Sequence, residues 1–520
     1  MIFSLLERGS KHMKYMYKWP LFLLLFLVGG AFISSLFRHA YYVPDKPMFD
    51  TTSPVNLLLI IGIILVVIII IFYSRKLRFV NGLCVSFCIS ITCQLAFILL
   101  YPLNPYSDMG TVYQIATEFE NGALFTALEK GGYLAIFPNN MYFALFLSLI
   151  YMIFPHAIIV GKIINIIFSL IIIYSTARIY KEFFGERYIG GLLVLLSFFP
   201  PFILYSNHMY NDIISIAFFT SATLLLILGL RRKSLYNLMF GFSLLIIGDL
   251  LRQIGIVFLI AFWITLLTIG NGRFSKKKIY IMIGVSVLGY FITKPFINIL
   301  LVIFSIIPTD FNEYNMPVYA WFHIAFDFKT LGFQNGGQSF SIFYNLDYNT
   351  KLAAQVYQHD IILNFKNNGF LKTLNFLIKK YLWTWTEGTY QMDRYGFGYE
   401  NSVQYDTYLT KVISNSPRLR NIVTLIMHYY SVVILGFATL GIYLSHKRKY
   451  YDSFIFNLII LGTIGFYCLW EIKSRYIFIV FPYLFIYFYY GVISFLGLSN
   501  RYSKIIMKNI KNGMSNNATN

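Results

Sequence analysis

The stretch from Asn56 to Tyr73 is eighteen residues long and carries no charged side chain. A run of that length and polarity matches the thickness of a lipid hydrocarbon core. Comparable runs recur along the 520-residue chain, of which only 12% is charged. A soluble protein carries about 25% charged residues. The pattern therefore predicts an all-α polytopic membrane protein with about twelve spans.

The expected spans are Trp19–Phe37, Asn56–Tyr73, Phe79–Tyr101, Ala157–Ala177, Ile189–Tyr205, Ile213–Leu230, Leu235–Gly248, Ile254–Gly270, Ile279–Leu301, Ile422–Leu444, Phe454–Trp470 and Tyr476–Leu496. The first follows Arg8, Lys11, Lys14 and Lys18. It is too long for a signal peptide and has no clear small-residue cleavage site, so it reads as a span.

The net charge of +20 invites a nucleic-acid reading, but its placement argues otherwise. Basic clusters recur between spans: Arg75-Lys76 with Arg78, Arg178 to Arg187, Arg231 to Lys233, Arg273 with Lys276 to Lys278, Lys447 to Lys449, and Arg501 onward. That is the positive-inside pattern, with basic loops held against an anionic cytoplasmic leaflet. It sets both termini in the cytoplasm and implies contact with membrane lipids, not nucleic acid. Asn139–Phe154 would break the alternation if it crossed, so it reads as a partly inserted, re-entrant helix covered by protein. Cys84, Cys88, Cys93 and Cys468 all lie in apolar spans and form neither a metal spacing nor a disulfide framework. No HExxH, Walker or dinucleotide-binding pattern occurs.

Four regions follow: 1–78, a tail and two N-terminal spans; 79–301, a transmembrane core with a first outer loop at 102–138; 302–418, a large outer segment; and 419–520, the last spans and a basic tail. A loop as long as the third is functional or disordered as a rule, and its many aromatics argue for order. It also holds many of the acids, among them Asp310, Asp347, Glu387 and Glu400. Within it, Phe370, Leu374, Leu377, Tyr381 and Trp385 share a helical face, flanked by Lys372, Lys379 and Lys380. The spacing predicts an interfacial helix with aromatic anchors and headgroup-facing lysines.

Several charged residues stand where spans end. Asp108 lies in the first outer loop, where a carboxylate could accept a proton from a sugar or amine acceptor as it attacks. Ser107-Asp108 could equally cap the helix that follows. Asp212 opens another span from the outer side and has the same two readings; its neighbour His208 reads as a loop residue. Arg252 interrupts two short apolar runs. A charge there meets an anionic ligand or a partner, and Asp249, one turn away, is the local partner. Arg475 suits a phosphate because its guanidinium is always charged and donates bidentately. Glu471, four residues before it, is the competing partner. Lys473 reads as solvated.

The order of short motifs resembles the bacterial GT-C membrane glycosyltransferases, the family 39-like group related to protein mannosyltransferases and aminoarabinose transferase. The matching residues are Ser107-Asp108 with Tyr113 and Ala116, Phe137-Pro-Asn-Asn140, Pro200-Pro201 with Tyr205-Ser206 and Asp212, and Met316-Pro317 with Trp321. Lys379-Lys380 with Trp383, Glu387-Gly388-Thr-Tyr390, and Glu471 with Arg475-Tyr476 complete the set. The resemblance runs from about Phe79 to Leu496. It implies Asp108 as catalytic base, Asp212 as supporting acid, and Arg252, Arg475 and Lys380 on the phosphate of a polyprenyl-phosphate sugar donor. Glu471, His208, Trp383 and Glu387 are further site candidates. The implied activity is inverting transfer to a cell-envelope acceptor on the outer face of the bacterial cytoplasmic membrane. No second acid stands beside Asp108, so no metal ligands are assigned; no resident cofactor is expected, and a divalent cation is left open. The two N-terminal spans have no counterpart in this reading.

Two other classes compete. A Wzy-type polysaccharide polymerase would share the spans, outer loop and arginines, without needing an Asp base after a span. A lipid-linked oligosaccharide flippase would place ionisable groups at mid-bilayer, lining a cavity. Here the charges gather at span ends.

Overall fold

The computed structural model describes residues 2–43, 46–52, 56–270, 273–334, 339–398, 402–448 and 453–497. Lys449, Glu400 and the basic tail from Arg501 onward lie outside the described residues.

Among the described residues the chain is mostly helical, and eight helices are long and apolar enough to cross a membrane. They cover Lys18–Phe37, Asn56–Ser74, Phe79–Leu100, Ile158–Phe184, Asn211–Arg232, Lys276–Ile303, Arg418–Lys447 and Ser474–Phe495. The other four expected spans differ for local reasons. Leu235–Leu251, Gly255–Thr268 and Phe454–Leu469 are apolar helices of 10–17 residues, about 21–26 Å long at 1.5 Å per residue. Ile189–Tyr205 is not one helix. It breaks into Ile189–Ser197 and Pro200–Tyr205. Phe199 is extended before Pro200, because proline disfavours helical geometry in the residue before it and brings no N–H of its own. Met141–Tyr151, within the segment expected to be re-entrant, has 11 residues. At about 17 Å it is too short to cross a core of about 30 Å.

One element departs from the all-α expectation. Strands β1 (Arg38–Val43) and β2 (Lys46–Thr51) pair antiparallel directly after the first helix.

Helices Asn211–Arg232 and Ser474–Phe495 form the interior, with 78% and 100% of their apolar stretches buried. Lys276–Ile303, at 11%, stands at the periphery with its apolar side chains outward. The first helix packs on Pro417–Lys447, and the second on both that helix and Ile189–Ser197. The N-terminal region is thus fastened to the core.

The expected interfacial helix is part of a longer one, Thr350–Thr386, broken at Gly369, whose φ is +67°. A residue with a Cβ is strained in that region and glycine is not. Past the break, Phe370 and Leu374 are exposed but Trp385 is buried. The side that packs inward carries Phe376, Lys380 and Trp383. The helix descends into the protein, so its C-terminal half is a core element.

Candidate active site

A cavity of about 370 Å³ opens among the ends of several helices. Asp108, Asn140, Tyr210, Arg252, Glu471, Lys473, Arg475 and Tyr476 line its polar side. Phe137, Trp321, Phe466 and Trp470 line its apolar side. The Trp321 and Trp470 rings stack at 6.1 Å, and Phe466 lies 5.6 Å beyond Trp470.

Asp108 is carried in the first turn of helix Ser107–Thr117. Tyr106 occupies the cap position and no side chain caps the helix, so the capping role is not used. Among the described residues Asp108 enters no ion pair. Its neighbours are two phenols joined through one amide. Tyr210 donates to Asn140 Oδ1 and Asn140 Nδ2 donates to Tyr133, each at 2.8 Å. Burial first, with the Asp108 carboxylate adding to it, raises both phenols above their ordinary range. They stay protonated and can donate hydrogen bonds.

Asp212 is buried behind the cavity wall. Tyr210 occupies the cap of its helix, and Asp212 does not cap. One of its oxygens pairs with Arg252. The other lies 3.3 Å from His208 Nε2 and 3.7 Å from Arg475 Nη1. Asp212 therefore holds two guanidiniums at the cavity. The tyrosines complete their surroundings. The Arg475 guanidinium carbon lies 4.7 Å from the Tyr395 ring and 5.3 Å from Tyr210, and Tyr476 lies 5.1 Å from Arg252 and 5.5 Å from Arg475. Such faces attract a desolvated cation. His208 lies in the loop between helices Pro200–Tyr205 and Asn211–Arg232, as expected, and is buried within this group. Burial lowers its pKa against the opposing pull of Asp212, so the ring favours the neutral form.

Neither local pairing expected from spacing is formed. Asp249 accepts the Gly255 N–H at 2.6 Å, while Arg252 turns to Asp212. Arg252 is extended, with φ −149° and ψ 110°, so the helical spacing that would join it to Asp249 ends there. Glu471 accepts from the Tyr476 hydroxyl and lies 3.5 Å from Lys473. The chain becomes a 3₁₀ helix only at Ser474, so Glu471 and Arg475 are not on one α-helical face. Lys473, expected to be solvated, is buried and donates to Gln334 at 3.0 Å.

Besides Asp212 and His208, three further candidates lie away from the cavity lining. Lys380 donates to the Ala325 carbonyl at 2.7 Å and is buried. Burial lowers its pKa to about 7. That position does not offer its ammonium to a phosphate in the cavity. Trp383 is buried and donates to the Tyr41 carbonyl at 2.9 Å. Glu387 accepts from Ser474, from Thr389 and from the Gln391 N–H. Burial, reinforced by Asp393, pushes its carboxyl up to about 7. Among the described residues no cluster of His, Cys, Asp and Glu could hold a metal ion.

The sequence reading did not single out Tyr210, Trp470 or Gln334. Trp470 adjoins the Glu471 motif, a signal that could have marked it. Gln334 has no local signal, since its place depends on a distant lysine. Comparison with protein-family models and with curated proteins finds no match.

Proposed function

We propose that this chain is a membrane glycosyltransferase of the GT-C kind. It moves a sugar from a polyprenyl-phosphate donor to a cell-envelope acceptor on the outer face of a bacterial cytoplasmic membrane. Its eight long helices, three shorter apolar helices and the broken segment Ile189–Tyr205 would make twelve crossings with both termini cytoplasmic. The observation that carries the reading is one cavity holding a carboxylate, Asp108, that enters no ion pair among the described residues, together with two held guanidiniums, Arg252 and Arg475.

In this chemistry Asp108 takes the proton of the acceptor hydroxyl or amine. The acceptor atom bonds to the anomeric carbon from the face opposite the phosphate, and the configuration inverts. The bond from that carbon to the phosphate oxygen breaks, and the polyprenyl phosphate leaves with the electron pair. Arg252 and Arg475 stabilise the charge that develops on that oxygen. The aromatic side, with Trp321 and Trp470, suits the apolar parts of the donor.

A flippase has less support, because Asp212 holds Arg252 and Arg475 at helix ends, and Glu471 lies beside Lys473, whereas transport favours ionisable groups at mid-bilayer. The test is release of polyprenyl phosphate from polyprenyl-phosphate sugars by protein in liposomes. Release with acceptor, lost in Asp108→Asn, is expected. Movement of intact donor between leaflets without cleavage would overturn the reading.

A further inference from the structure

We infer that the N-terminal β-hairpin is a brace that positions the loop carrying Arg475. The inference rests on the proposed donor site, and it gives a role to the N-terminal region.

The hairpin is anchored at its base and along one side. Thr52 bonds back to the carbonyls of Leu36 and Phe37, which closes its base. At its side, the Tyr41 carbonyl accepts from Trp383 at 2.9 Å. The helix before it joins the same target, since Tyr381 donates to the Leu27 carbonyl at 2.8 Å. Both contacts fall in the last turns of Thr350–Thr386. A hydrogen-bonded indole in a packed setting fixes orientation as well as filling space.

The next contact reaches the site loop. Ala40 is fully buried in one cluster with Trp383, Phe333 and Ile472. Ile472 lies between Glu471 and Lys473, both of which line the cavity. Its N–H donates to the Gly332 carbonyl at 2.9 Å. Gly332 has φ +79°, and a Cβ there would meet the Ala325 carbonyl at 2.8 Å. Lys380 holds that same carbonyl. On the other side of Lys473, Ser474 donates to Glu387, which follows the helix the hairpin grips. The loop is thus held at alternate residues, Ile472 and Ser474, by groups that all meet the hairpin or the helix under it. Arg475 is the next residue. An anion-binding guanidinium works only if the backbone that carries it is fixed.

A packing role alone would make the hairpin matter for stability and not for phosphate binding. The two ideas separate with Ala40→Leu, which adds volume against Ile472, and with Ala40→Leu/Ile472→Ala, which gives that volume back. Trp383→Phe is a milder variant, keeping a ring but not the bond to Tyr41. Two measurements are made on full-length protein in nanodiscs: amide hydrogen exchange across residues 470–476, and titration with farnesyl phosphate. Under the brace, Ala40→Leu speeds exchange in that loop and weakens farnesyl phosphate binding about tenfold, the scale of one weakened charge-assisted bond. Trp383→Phe does the same to a smaller degree, and the double variant recovers both. Unchanged exchange in Ala40→Leu and Trp383→Phe would overturn the brace. So would losses that the double variant does not restore. If Ala40→Leu does not fold, Trp383→Phe decides on the same criteria. If the wild type binds no prenyl phosphate, the proposed function falls, while exchange across 470–476 still decides the brace.

Discussion

Asp212 and Arg475 come within 3.7 Å of each other in the interior, although one opens a central helix and the other opens the last. Arg252 shares the same carboxylate from a third segment. The expected outcome of Asp212→Asn is therefore loss of stability together with loss of donor binding. Removing one member of a buried ionic group leaves the others uncompensated, at about 3–5 kcal/mol. Thermal unfolding of Asp212→Asn at the wild-type temperature would refute this.

Asp108→Asn should behave in the opposite way. The side chain makes no ion pair among the described residues, so the fold should keep its melting temperature. Transfer should fall by about 10²–10⁴, the usual cost of removing a general base. Activity within about tenfold of wild type removes Asp108 from that role.

Arg475→Lys keeps the charge but not the forked donor geometry. Donor saturation should shift by about ten- to hundredfold, matching a loss of roughly 1.5–3 kcal/mol. Glu471 pairs with Lys473 and Tyr476, not with Arg475. Glu471→Gln should therefore leave donor saturation much closer to wild type. Equal shifts in the two variants would count against a phosphate role for Arg475.

Glu387 gives a pH dependence with a definite sign. Its carboxyl is raised by burial and by Asp393, from an ordinary 4.5 to about 7. The folded protein thus binds this proton more tightly than the unfolded chain. The stability it contributes is fully present below about 4.5 and is lost as pH rises through about 7. Wild-type melting temperature should fall across that window, and Glu387→Gln should flatten the fall. Identical slopes in both proteins would exclude the effect.

The proposed topology puts Asp347 outside and Arg232 inside. Single cysteines beside each, probed with an impermeant thiol reagent on intact cells, should label only near Asp347. The reverse pattern would invert the arrangement and move the cavity to the cytoplasmic side.

Much of the helical layout was legible because apolar length is a local property, as Asn56–Ser74 illustrates. Asp108, Arg252 and Arg475 stood out because charges at span ends are costly. Their pairings were not legible. Spacing rules join Asp249 to Arg252 and Glu471 to Arg475 only if the chain stays α-helical, and at Arg252 and before Ser474 it does not. Asp212 finds its two guanidinium partners through tertiary packing, which no local pattern encodes. The lysines misled for a related reason. Lys380 and Lys473 read as surface residues from charge alone, yet Ala325 and Gln334 supply the acceptors that let them be buried.

The carboxylate of Asp212 also bears on how a turnover would end. Two guanidiniums facing an empty cavity would repel each other and then grip any phosphate that reached them. With a resident anion between them, they are already arranged before a donor arrives. An incoming phosphate takes over only part of their attention, and on leaving it hands them back to a waiting partner. Under the proposed function, a site built this way would favour release of the spent lipid carrier over its retention.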